Sequence, residues 1–128
     1  MLYKGYIKTN GKKAMETFKG RTKFHTYEEV KSCDSFAGVL KEDVILVDID
    51  EWEQSEILMN IVEDYQLDCR VYQTTRGRHF LFKNHSVTRN RTHVPLAIGL
   101  VADIKCGSKS SYEVVKIHGE ERFIEWDI

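Results

Sequence analysis

Asp48 and Asp50 close the most hydrophobic run in the chain, Val44-Ile-Leu-Val-Asp-Ile-Asp50. Side chains alternate along a strand, so the two carboxylates project from one face, roughly 6–7 Å apart at their Cα atoms. They share that face with Val44 and Leu46, and an apolar face therefore turns acidic at the strand's C-terminal end, where clefts form in many sheets. Two carboxylates held so close repel each other unless a cation or a proton lies between them. A divalent ion is the chemistry this pair suits; capping of the next helix, or plain solvation, is the structural alternative.

A second group follows in Thr74-Thr75-Arg76-Gly77-Arg78-His79, which leads into Phe80-Leu81-Phe82-Lys83. Gly77 permits a tight turn or a close backbone approach. Histidine can donate to a phosphate oxygen, bind a metal or complete a polar corner of the core. With Arg76, Arg78 and Lys83 near His79, the cluster suits an anion. Asp103 is the only acid between residues 69 and 109 and sits in an otherwise apolar strand, with Lys105 on the same face. Buried alone it would be costly, so it either joins the metal site or pairs with Lys105 or an arginine. His25, His85, His93 and His118 show no ligand spacing, and Trp52, Trp126, Phe80 and Phe82 read as core.

The elements that must hold these groups are legible from periodicity. Residues 2–8 read as a strand, and Thr26 with Glu29 forms a capping box that starts a short helix to about Ser32. Residues 36–40 and 44–50 read as strands. From Glu53 to Gln66 the period becomes helical, with Ile57, Leu58, Ile61, Val62 and Tyr65 on the inner face. Residues 69–75 and 78–83 form a hairpin around Arg76-Gly77, 84–95 read as a polar, basic loop, and strands follow at about 100–105, 112–118 and 122–126. This order predicts an α+β domain with helices packed on a sheet.

At 128 residues the chain is one domain's worth of material. It has no apolar run long enough to span a membrane, and its start does not read as a signal peptide, so the expectation is a cytoplasmic protein. Three widely spaced cysteines fit neither a disulfide framework nor a zinc site. The net charge of −1 conceals blocks of opposite sign: residues 1–31 carry eight Lys and Arg against three acids, 42–68 carry ten acids and no base, and 69–109 carry eight bases and one acid. Such alternation is either a solvated acidic helix beside basic strands or an acidic pocket rimmed by phosphate-holding groups.

Taken in order, Val47-Asp48-Ile49-Asp50, Gly77-Arg78-His79 before Phe80-Leu81-Phe82, and Ala102-Asp103 resemble the three motifs of the archaeo-eukaryotic primase superfamily, above all the primase-polymerase domains of phage and plasmid replication proteins. Gly107 to Val115 (GSKSSYEVV) is similar to the family's glycine/serine turn and tyrosine-containing strand, with Tyr112 either facing the sugar or packing. The resemblance spans residues 44–118. It implies an RRM-like mixed or antiparallel sheet at 41–128, preceded by a small αβ unit at 1–40 that helps grip a single-stranded DNA template. It further implies a DNA primase or polymerase in which Asp48, Asp50 and Asp103 hold two Mg²⁺ or Mn²⁺ ions, His79 contacts the triphosphate of the incoming nucleotide, and Arg76, Arg78, Lys83 and Lys105 neutralise phosphate charge. The zinc element of many family members has no ligands here, and no structural zinc is expected. The chain is short for such an enzyme, which fits one domain of a longer helicase-primase in a bacterial host's cytoplasm. A metal-dependent nuclease and a non-catalytic RRM-like module that stacks bases on Phe80 and Phe82 are the competing functions.

Overall fold

The computed structural model describes residues 2–83, 89–96 and 99–128. The chain is α+β, with two antiparallel sheets and few helices. Strands β1 (Tyr3–Asn10), β2 (Lys13–Ala14) and β3 (Phe36–Leu40) begin the first sheet, and a one-turn helix α1 (Tyr27–Val30) lies between β2 and β3. The capping box at its start is formed in full, Thr26 accepting from the Glu29 N–H and Glu29 accepting from the Thr26 N–H. Strand β4 (Val44–Ile49), helix α2 (Trp52–Tyr65), and strands β5 (Cys69–Gln73), β6 (Arg78–Lys83), β7 (Arg91–Pro95) and β8 (Val101–Cys106) follow. The chain then returns to the first sheet with β9 (Tyr112–Ile117) and β10 (Glu120–Glu121), and ends in the second with β11 (Ile124–Trp126).

Strand order is β10-β9-β3-β1-β2 in the first sheet and β11-β5-β6-β4-β8-β7 in the second. The small unit expected over residues 1–40 is therefore completed by β9, whose Tyr112 pairs with Val39 of β3. Part of the stretch expected to be loop, 84–95, is the edge strand β7; residues 84–88 lie outside the described residues. Its residues are mostly exposed and polar, so periodicity carries little signal there.

The nearly unbroken apolar run of β4 has a direct cause: both faces of its sheet are covered. Val44 and Leu46 point toward the first sheet and share a core with Tyr3, Phe36, Leu40, Tyr72 and Leu81. Val47 and Ile49 point the other way, onto Met59 and Val62 of α2. Each fully buried aliphatic contributes about 1.5–3 kcal/mol. The helix is rotated from the expected orientation. Its buried seam is Ser55, Met59 and Val62, while Ile57 and Tyr65 are exposed. Arg78 explains the rotation: its buried guanidinium lies 4.0 Å over Trp52 and donates to Ser55 Oγ (2.8 Å) and Glu125 Oε1 (2.8 Å), so this face of the helix carries polar work. Trp52 is accordingly part-exposed, whereas Phe80 is core and Phe82 and Trp126 pack against it. Among the described residues no helix is long and apolar enough to cross a membrane.

Candidate active site

One row of paired residues crosses the second sheet on the face toward the first: Tyr72, His79, Asp48 and Asp103, on β5, β6, β4 and β8. Leu81, Leu46 and Lys105 form the next row. The carboxylates thus stand where the inter-sheet core ends and a cavity of about 220 Å³ opens. Asp48 and Asp50 form its acidic wall. Lys12 from the β1–β2 turn, Arg76, His79, Lys105 and Arg122 bring cationic groups to it from both sheets. Thr74, Thr75 and Tyr112 add hydroxyls, Tyr112 packing edge-on against Phe18 while its hydroxyl donates to the Lys12 carbonyl.

Asp48 is the most constrained member. Its Oδ1 is buried and lies 3.2 Å from His79 Nε2, yet has no partner with hydrogen-bond geometry among the described residues. Burial raises the Asp48 carboxyl, but the His79 ring beside it, with Lys105 and Arg122, holds it below the ordinary aspartate value. His79 is held from the other side by Glu113 of β9, whose carboxylate oxygens are 2.7 and 2.8 Å from Nδ1. Burial alone would lower the His79 imidazole; Glu113, then Asp48, outweigh it and push it up to about 9.

That shift has a sign that can be checked. The folded value exceeds the unfolded one, near 6.5, so the stabilisation from protonated His79 is complete below about pH 6.5 and lost as pH rises through about 9. Urea melts with chelator present should show the wild type losing up to roughly 3 kcal/mol across this range relative to His79→Gln. Parallel pH curves for the two proteins would refute the coupling.

The other expected site residues divide. Arg76 pairs with Asp50 at the mouth of the cavity, and Lys105 lines it. Arg78, expected among the phosphate contacts, lies on the helix-facing side, as its adjacency to His79 requires in a strand. Lys83, likewise expected there, lies at the far end of β6, where it donates to Asp43 (3.1 Å). Asp103 does not pair with Lys105. Its Oδ1 accepts from the His93 N–H (2.9 Å), and it lines an adjoining hollow of about 280 Å³ that Asp48 and Asp50 also border. Among the described residues no three carboxylates or imidazoles converge tightly enough to enclose an ion. The fit to a cation rests on the Asp48 carboxylate beside Asp50, whose buried Oδ1 faces the His79 ring without a hydrogen bond of good geometry among the described residues. Phe80 and Phe82, the candidates for base stacking, lie on the side of the sheet facing α2 and not on an open face.

Glu113 and Arg122 were not found from the sequence. Glu113 carried the same signal as Asp103, a single acid in an apolar strand (Tyr-Glu-Val-Val); Arg122 carried none. Comparisons of the chain with protein-family models, with curated proteins and with solved structures found no match.

Proposed function

We propose that the chain is a metal-dependent nucleotidyltransferase of the primase-polymerase kind, extending or starting a DNA strand from nucleoside triphosphates. The observation that carries this reading is one cavity in which a carboxylate pair, Asp48 and Asp50, faces cationic groups from Lys12, Arg76, His79, Lys105 and Arg122. A triphosphate with its divalent ions needs both halves: acids for the metal and cations for the phosphates. Asp48 and Asp50 would hold Mg²⁺ or Mn²⁺, with Asp103, paired with Asp48 across the β4–β8 ladder, as third ligand. The metal would lower the charge barrier to attack and stabilise the departing group. The oxygen of the primer 3′-hydroxyl would bond to the α-phosphorus, its proton passing to solvent, as the bond from that phosphorus to pyrophosphate breaks. His79, Arg76 and Lys105 are the groups that neutralise the phosphates. An RRM-like catalytic core in the second sheet, in the manner of the primase superfamily, is part of the same proposal. So are a single-stranded template and a helicase domain in the same or a partner chain.

The test is incorporation of labelled nucleotide on a primed and an unprimed single-stranded template, with Mg²⁺ or Mn²⁺. Metal-dependent extension supports the reading. Strand cleavage without any need for nucleoside triphosphate would replace it with a nuclease. Neither activity, with no binding of nucleoside triphosphate, would leave the chain without this function.

A further inference from the structure

Glu113 is 1% exposed, the most deeply buried acid described in this chain. It comes from the first sheet, while the groups it touches come from the second and from the crossover between sheets. Both its oxygens approach His79 Nδ1, at 2.7 and 2.8 Å, and Oε1 also accepts from Arg122 Nη1 (3.2 Å). Arg122 is anchored separately, its Nη1 donating to the Val114 carbonyl at 2.9 Å and its backbone N–H to the Val115 carbonyl at 2.8 Å. The three side chains line the cavity with Asp48.

Such a cluster is an inefficient way to stabilise a fold, because desolvating its charges offsets most of their attraction. What it does is orient. With both Glu113 oxygens on Nδ1, that nitrogen is the donor of the contact, and the ring is fixed with Nε2 toward Asp48 and the cavity. The same oxygen holds the Arg122 guanidinium beside that ring.

We propose that Glu113 is a positioning residue: it holds His79 and Arg122 as a preset pair of donors for the phosphate chain of the ligand. This rests on the reading of the cavity as a triphosphate site and deepens it, because the pair is formed only when the two sheets are docked. Without Glu113 the ring is free to turn and the guanidinium loses a partner. Affinity for the phosphate chain then falls even though neither donor has been removed.

The experiment uses the full chain and two readouts. In the metal-free protein, proton NMR should show a downfield, slowly exchanging His79 Nδ1–H signal, identified by its disappearance in His79→Ala. In Glu113→Gln this signal should move upfield or vanish. Calorimetric binding of inorganic triphosphate with Mg²⁺ should weaken about tenfold in Glu113→Gln, the size of one lost hydrogen bond to a charged group. If Glu113→Gln does not fold, Glu113→Asp keeps the charge but draws it back by one methylene, and about a threefold loss with a displaced signal is expected. An unmoved signal, or a displaced signal with affinity within twofold of wild type, would reduce Glu113 to a structural ion pair and overturn the proposal. So would a wild type that does not bind inorganic triphosphate. A wild type that binds it, with the predicted loss in the variant, but incorporates no nucleotide, would support the role of Glu113 and sink nucleotidyl transfer alone.

Discussion

Asp48→Asn lowers nucleotide incorporation by on the order of 10³-fold while the fold persists. A metal-bound transition state draws several kcal/mol from its ligands, and several kcal/mol corresponds to this factor. Asparagine matches aspartate in size, so Val47, Ile49 and the inter-sheet core need not repack. The neutral amide, however, removes the charge from the buried Oδ1 that faces His79 Nε2. It also removes the closest carboxylate from His79 Nε2, which makes a modest loss of stability part of the expectation. Asp43→Asn is the matched control, since Asp43 is exposed just before β4 and pairs with Lys83 away from the cavity. The measurement is single-turnover incorporation at saturating nucleotide and metal, with a thermal melt of each protein. Asp48→Asn activity within tenfold of wild type, in a folded protein, would remove Asp48 from the metal site.

Gly77→Ala is expected to destabilise the protein by about 3 kcal/mol or more, or to prevent folding. The cause is space, not backbone dihedral. A Cβ at Gly77 would lie 1.9 Å from the Ile49 carbonyl oxygen and 3.1 Å from the Glu51 N–H nitrogen. These are backbone atoms at the end of β4 and start of α2, with no flexible side chain to swing away. The close approach that glycine permits is thus made to the chain's own β4 and not to a ligand. The hairpin turn is secured by Thr74, whose N–H donates to the Gly77 carbonyl (2.9 Å) and whose Oγ1 accepts from the Gly77 N–H (3.1 Å). Any relief of the clash must therefore move Asp50 or Arg76, which meet across this contact. Urea titration of Gly77→Ala against wild type measures the loss. Stability within 0.5 kcal/mol, roughly the scatter of ordinary surface substitutions, would show that the turn can shift freely.

What the sequence determined by itself was local. Period-two alternation and the run Val44–Val47 were enough to find β4 and to put Asp48 and Asp50 on one face. The capping box was enough to start α1, and β3 and β6 were bounded to the residue. The same alternation should have separated Arg78 from His79, since neighbours in a strand face opposite sides. Lys83 shares the face of His79, but the rise of the strand sets it four residues and roughly 13 Å away. Proximity in sequence stood in for proximity in space there. The inner face of α2 was misjudged for a related reason: hydrophobic spacing gives a helix its period, but the buried Arg78 guanidinium chose which side turns inward.

Only the tertiary structure decided what surrounds the acid pair. Glu113 reaches His79 across 34 residues, and Arg122 reaches it from the crossover to β11. Both depend on the chain leaving the second sheet after β8, so that β9 pairs with β3 in the first. Strand pairing at that separation follows from which apolar faces can be covered together, a property of the whole chain and not of any window along it. The acid pair was therefore readable from seven residues, whereas the cationic setting needed the docking of two sheets.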